Sequence, residues 1–197
     1  MNCTGVILAA GASRRMGRPK ALLPIGGETF VDRLTRVFQS CCGEVIIVLG
    51  HHAAAIRPRI GSAANVAINP DPSRGQLSSL QCALALLPSS ADAFLFTPVD
   101  CPSILESTVV SLLEALAAHP KTLLAIPRFQ GRRGHPAACR ASLAPEFLSL
   151  PPTAQAREVV HRHADQTIYL DTTDPGVLAD IDDPQAYNRL VSRASLP

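Results

Sequence analysis

The sequence predicts an α/β protein, a three-layer sandwich around a mostly parallel sheet, on three observations. Short continuous apolar runs (Val6-Ile7-Leu8, Val45 to Leu49, Ala93 to Phe96) read as strands buried on both faces. Between them lie segments whose apolar residues recur at helical spacing. Strand and helix alternate along the chain, as they do when crossover helices join parallel strands. The 197 residues suffice for one domain with a sizeable core, taken as residues 1–197, and no linker, repeat or low-complexity segment divides them.

The elements follow in order. Val6-Ile7-Leu8 is the first strand. Leu22 to Ile25 leads to a turn at Gly26-Gly27. Thr29, with Asp32 three residues on, forms a near capping box for a helix whose inner face is Val31, Leu34, Val37 and Phe38, ended by Gly43. Val45 to Leu49 is a strand, Ala53 to Ile60 a weaker helix interrupted by Pro58, and Val66 to Ile68 a short strand. Asn69 to Gly75 is a proline-punctuated loop, and Leu77, Leu80, Leu84 and Leu87 mark the next helix. Ala93 to Phe96 is a strand running into Thr97-Pro98-Val99-Asp100-Cys101-Pro102. Ser103 and Glu106 read as a capping box for a helix that turns Ile104, Leu105, Val109, Leu112, Leu113 and Leu116 to the core. Leu123 to Ile126 is a strand, Gly131-Arg132-Arg133 a hairpin turn, Ala154 to His163 a helix, and Ile168 to Leu170 a strand. Asp183 caps a last helix at Pro184, which runs to about Leu190 before a short polar tail.

Composition excludes several classes. The chain is 47% hydrophobic and 17% charged with a net charge of +2, too little for a general nucleic-acid binder. The N-terminus shows no signal sequence, and no apolar run approaches the roughly 20 residues that span a bilayer, so a cytoplasmic protein is expected. Six cysteines form no C-x-x-C pair and read as reduced, buried thiols; the adjacent Cys41 and Cys42 would make a strained bridge. His51-His52 and His161-x-His163 lack zinc spacing.

The basic residues matter by position. Arg14, Arg15, Arg18 and Lys20 all follow the first strand, within a turn that opens with Ala9, Ala10 and Gly11. Small residues let a ligand approach backbone N–H groups, and Arg15 and Lys20 add full charges, which makes the loop a triphosphate cradle. It is not a Walker A loop: five residues separate Gly11 from Gly17, and Arg18-Pro19 follows. Nor is it a dinucleotide fingerprint, because no glycine stands two residues after Gly11. Asp100 ends a central strand between prolines and faces the same crevice, a placement that suits a magnesium ligand.

Leu8 to Lys20, as Leu-Ala-Ala-Gly-x-Ser-x-Arg-Met-Gly-x-x-Lys, resembles the signature loop of nucleotidyltransferases with a GT-A-like Rossmann fold, and most of all the molybdenum cofactor cytidylyltransferases. The resemblance extends to Pro98-Val99-Asp100-Cys101-Pro102, Gly134-His135-Pro136 and Asp180-Ile181-Asp182-Asp183-Pro184. It implies nucleotide contacts from Leu8, Ala9, Ala10, Gly11, Ser13, Arg15, Lys20 and Ser79, catalytic roles for Arg15, Lys20 and Asp100, and Mg2+ held by Asp100 and Asp182. It also implies acceptor contacts from Gly134, His135 and Arg157. The chain departs from the family pattern at Gln76, where methionine is usual, and at Pro152 to Gln155, which lack the glycines and aspartate that normally precede Arg157.

The implied reaction moves CMP from CTP to a phosphate-bearing acceptor, with molybdopterin the implied acceptor and pyrophosphate the leaving group; a molybdenum enzyme is an implied partner. Ala10 tilts the base toward cytosine, because the guanosine branch more often carries Leu-Ala-Gly-Gly. The alternatives are a sibling that transfers GMP, or CMP to a sugar or polyol phosphate; a non-catalytic cofactor-binding accessory protein; and an oxidoreductase on the same scaffold, against which the missing dinucleotide fingerprint counts.

Overall fold

A computed structural model of the chain describes residues 1–62 and 64–194, the side chains of 193 and 194 excepted. In chain order the elements are β1 (Cys3–Ala9), β2 (Pro24–Ile25), β3 (Glu28–Thr29), α1 (Phe30–Gln39), β4 (Glu44–Leu49), α2 (Ala53–Ile56), β5 (Asn65–Ile68), α3 (Gln76–Leu84) and β6 (Ala93–Pro98). They continue with α4 (Glu106–Ala118), β7 (Leu124–Phe129), β8 (Arg132–Arg133), β9 (Ala137–Arg140), α5 (Ala144–Ser149), α6 (Arg157–Arg162), β10 (Thr167–Asp171) and α7 (Pro184–Ala194). The main sheet runs β10-β7-β9-β6-β1-β4-β5, with β8 paired to β7. β6, β1, β4 and β5 are mutually parallel, as are β10 and β7; β9 runs against both of its neighbours.

Alternation along the strands sorts the core into two halves. Ile7, Ile47 and Leu95 face α1 and α4, where Leu34, Phe38, Val109 and Leu112 are buried. Val6, Ile46, Phe94 and Phe96 face α3, α5 and α6, where Leu80, Phe147 and Val159 are buried. The result is the expected three-layer sandwich. Helix α1 lies so close to β1 that a Cβ at Gly5 would come within 2.7 Å of the Phe38 ring, so only glycine fits there. Its capping box forms as expected: Thr29 Oγ1 accepts from Asp32 N, and Asp32 accepts from Thr29 N. Among the described residues no helix is long and apolar enough to cross a membrane.

Four expectations need correction. Ser103 and Glu106 form no capping box: α4 begins at Glu106, and the buried Asp174 carboxylate reaches in from the far side of the sequence to accept from Leu105 N at 2.9 Å and Thr108 Oγ1 at 2.8 Å. Leu105 therefore lies outside the helix and is 47% exposed rather than in the core. The hairpin turns at Gln130-Gly131, which both take positive φ (48° and 76°), and Arg132-Arg133 is already strand. The helix after Pro152 begins only at Arg157. The polar tail from 195 on lies outside the described residues.

Candidate active site

Because β1, β4, β5 and β6 are parallel, their carboxyl ends share one edge, and a cleft of about 390 Å³ opens there. The loops that wall it are tied to one another through the backbone. His51 N–H donates to Ala10 O at 3.2 Å, Asn69 N–H to Leu49 O at 2.8 Å and Val99 N–H to Leu8 O at 3.0 Å. Ile181 N–H donates to Asp100 O at 2.8 Å, which brings the Asp180–Asp183 segment over the end of β6.

The loop after β1 is held by its own serine. Ser13 sits in the left-handed region (φ 50°), its carbonyl accepts from Met16 N and Gly17 N, and its Oγ accepts from Lys20 N at 3.1 Å. An uncommon backbone conformation fixed by three hydrogen bonds is the kind of local strain that binding loops carry. A Cβ at Gly11 would meet nothing within 4 Å, so this residue faces open space.

Lys20 is the hinge of the electrostatics. Its Nζ lies 2.9 Å from Asp100 Oδ2 and 2.7 Å from Asp182 Oδ1, and Arg15 adds an ion pair to Asp182 Oδ2 at 2.9 Å. Burial pushes the Lys20 ammonium down, but its hydrogen bonds and charge interactions with Asp182 and Asp100 outweigh that and raise its pKa. The same hydrogen bond from Lys20 leads the lowering of Asp182, against the opposing effect of burial. Lys20, raised, and Asp182, lowered, therefore both favour their charged forms.

Leu8, Ala9, Ala10, Gly11, Ser13 and Arg15 line this cleft, and so do Lys20, Ser79, Asp100 and Asp182. Gly134, His135 and Arg157 do not. A Cβ at Gly134 would come within 2.2 Å of Val177 O, and His135 N–H donates to that same carbonyl. The His135 ring is buried, its Nδ1 has no hydrogen-bond partner among the described residues, and burial depresses its pKa. Arg157 is exposed on α6. Several cleft-lining residues escaped the sequence reading, His52 and Pro72 among them. His52 follows β4 and its Nε2 lies 2.9 Å from Ala12 O, bracing the glycine turn; Pro72 lies in the loop after β5. Their place just beyond parallel strands was the signal that could have found them.

The chain matches the MobA-like NTP transferase domain over residues 5–167. It belongs to that family. Among relatives of this family, the nicotine blue oxidoreductase of Paenarthrobacter nicotinovorans is 34% identical over 197 residues, covering 95% of this chain and 96% of that one. A probable molybdenum cofactor guanylyltransferase of Rhodopirellula baltica is 31% identical over 125 residues, 61% of this chain and 58% of that one. The molybdenum cofactor cytidylyltransferase of Escherichia coli K12 is 23% identical over 184 residues, 92% of each. The crystal structure of Rv0371c from Mycobacterium tuberculosis superposes with a TM-score of 0.84 at 28% identity over 98% of each chain. A manganese complex of Rv0371c superposes with a TM-score of 0.76 at 24% identity over 100% of each. The fold is that of the GT-A-like nucleotidyltransferases.

Two groups of donors in this MobA-like chain invite a divalent cation, and they differ in fit. Asp100 and Asp182 present carboxylate oxygens to an open cleft and already share one small cationic group, the Lys20 ammonium, a donor set of the kind hard divalent cations take. Asp100, Cys101 and Asp180 bring three donor atoms within 4.8 Å. There, however, the Cys101 thiol donates to Asp180 Oδ1 at 3.0 Å, and burial, with that hydrogen bond, pushes its pKa far up. A buried neutral thiol is a poor ligand for a hard cation.

Proposed function

We propose that the chain transfers CMP from CTP to a phosphate-bearing acceptor, with molybdopterin as the acceptor and release of pyrophosphate. The observation that carries this reading is the junction of Lys20 with Asp100 and Asp182 at the mouth of a cleft floored by the glycine turn. Nucleotidyl transfer asks a protein for alignment and charge neutralisation more than for covalent chemistry. Backbone N–H groups of the turn and the Arg15 and Lys20 cations would receive the triphosphate, and Lys20 would then neutralise charge that builds on the leaving oxygens. Asp100 and Asp182 would hold magnesium, which when bound supplies electrostatic stabilisation to the phosphate oxygens. Ala10, an alanine at a cleft-lining position where the guanosine branch more often carries glycine, favours CTP over GTP, although one methyl group gives limited discrimination.

Arg157, exposed and without an ion pair among the described residues, and the basic 131–136 loop would meet the acceptor; the buried His135 would act there by holding the loop. Six unpaired cysteines fit a cytoplasmic enzyme, where nucleoside triphosphates are supplied. A second reading, an oxidoreductase, is favoured by the 34% identity to the nicotine blue enzyme over nearly the whole chain. Pyrophosphate release measured with CTP and with GTP, each with and without molybdopterin and magnesium, tests the proposal. CTP- and acceptor-dependent release supports it. No release with either triphosphate, together with oxidation of a reduced nicotinamide by a coloured acceptor, would establish the second reading instead.

A further inference from the structure

Asn69 stands one residue beyond β5 and is 4% exposed. Its Oδ1 accepts from Asp71 N–H at 3.0 Å. A backbone N–H can only donate, so this bond fixes which way the amide points and turns Nδ2 toward helix α3. There Nδ2 donates to Ser78 Oγ at 2.9 Å and to Ser79 Oγ at 3.0 Å, which uses both of its protons. The two serines then diverge. Ser78 passes its own proton to Gly75 O at 2.8 Å, inside the first turn of the helix. Ser79 accepts from Asn69 and meets no acceptor among the described residues, yet it lines the cleft. Following each proton through the network thus leaves one over, on Ser79, facing the place where a nucleotide would lie.

We infer that Asn69 is a positioning residue, which occupies the Ser79 oxygen from behind so that the hydroxyl proton is presented to an acceptor atom of the bound nucleotide. This rests on the nucleotide-binding reading of the cleft and adds to it the sense of the hydrogen bond. The matching ligand atom is an acceptor, either a ring nitrogen or carbonyl of the base or a phosphate oxygen; an exocyclic amino group is not. Without Asn69, the serine could rotate its proton inward to the backbone, as Ser78 does.

The test is calorimetric binding of CTP and of inorganic tripolyphosphate, in magnesium, to the full chain and its variants. Ser79→Ala is expected to weaken CTP binding roughly three- to tenfold, the range of one hydrogen bond. Asn69→Asp keeps the shape but accepts where the amide donated, so it would capture both serine protons and give a similar loss. The double variant should bind no more weakly than Asn69→Asp alone, since both changes remove the same contact. The KM for CTP should rise while kcat stays within about twofold, a split that a merely structural role would not produce. Loss against tripolyphosphate as well assigns the contact to phosphate; loss against CTP alone assigns it to the base. Unchanged CTP affinity in Ser79→Ala, or losses that multiply in the double variant, overturns the inference. Should Asn69→Asp not fold, Asn69→Ala takes its place with the same expected non-additivity. A parent chain that binds neither CTP nor GTP defeats the nucleotide reading itself, whereas a parent that binds while Ser79→Ala is without effect defeats only this inference.

Discussion

Two ends of one sheet edge handle their charged residues in opposite ways. At the carboxyl edge of β1, β4, β5 and β6, charged side chains from three separate stretches converge within hydrogen-bonding distance, and Lys20 alone joins residues 80 and 162 positions away. On the other side of antiparallel β9, the residues expected to meet the acceptor stay apart: Gly134 and His135 are packed under Val177, and Arg157 stands exposed on a short helix. The difference lies in what packs over each stretch. Parallel strands deliver their loops to one edge, so residues that follow them meet by topology. The reversed strand β9 begins at that same edge, where β6 ends, but the chain entering it at His135-Pro136 is packed beneath Val177 instead of opening into the cleft.

The contrast breaks first if the nucleotide end proves dispensable. Lys20→Ala and Asp100→Ala are each expected to lower turnover by about 10²–10³, the usual effect of removing one preorganised charge contact. Neither side chain belongs to either core half, so melting temperatures should stay close to that of the parent. Pyrophosphate release and thermal unfolding measured on the same preparations separate the two effects. Near-parental turnover in either variant would remove the basis for assigning chemistry to this end.

The seam between the two ends is a matter of stability. Asp174 is 2% exposed, and its carboxylate accepts from Leu105 N, Thr108 Oγ1 and Gly176 N. Gly176 in turn packs so tightly on Ser103 O that a Cβ would come within 2.1 Å, which ties the turn that covers His135 to the segment just after Asp100. Asp174→Ala leaves a helix N-terminus and a buried hydroxyl without their acceptor and should cost about 2–4 kcal/mol of folding stability. Denaturant unfolding checks it. Turnover at a temperature where the variant remains folded should fall much less than in Lys20→Ala.

Which of these features could be read from residues alone follows the same division. The Lys20–Asp100 pair was legible because each residue ends or follows an apolar run, and parallel topology does the rest. Asp182 was legible once Asp183 was spoken for as a cap, and Asp183 Oδ1 does accept from Ala186 N at 2.8 Å. The α4 cap was not legible, because Ser103 offered a local solution and the true partner lies at position 174. Strand β9, four residues after a proline in a basic loop, carries too little periodicity to announce itself. The burial of His135 is set by Val177, and nothing near either residue signals the other. Local patterns disclose what strand ends bring together; contacts made by close packing across the chain do not show in them.

The acceptor end can be sharpened by a smaller change. Arg157→Ala removes an exposed cation and should raise the acceptor's KM by about three- to fivefold, the scale of a solvent-screened charge contact. Affinity for CTP should stay unchanged, because Arg157 does not line the cleft. An equal loss in CTP binding would merge the two ends and remove the distinction drawn above.

The smallest expected effect concerns how α6, which carries Arg157, is held in place. Glu146 on α5 pairs with His163 Nε2 at 2.8 Å and with Arg162 at 2.9 Å at the far end of α6. The hydrogen bond to Glu146 leads the rise of the His163 pKa above its ordinary 6.5, and the bond from His163 leads the fall of Glu146 below its ordinary 4.5. The signs then follow from linkage. A histidine whose pKa is raised on folding stabilises fully below about pH 6.5, and that contribution is lost as pH rises through the folded value. A carboxylate whose pKa is depressed stabilises above about pH 4.5 and loses its contribution as pH falls through the folded value. The pair therefore contributes most between about pH 4.5 and 6.5 and fades on the alkaline side, by under about 1 kcal/mol because both partners remain partly in solvent. The buried His135 works the other way: its depressed pKa makes acid destabilising, because the unfolded chain takes up a proton that the folded ring refuses. His163→Gln should thus make stability fall more steeply as pH drops from 7 to 5.5, measured by urea unfolding at a series of pH values. A profile identical to the parent's would show that the Glu146–His163 contact does not hold α6, and that Arg157 owes its position to the Arg162–Glu146 pair and the packing of Val159.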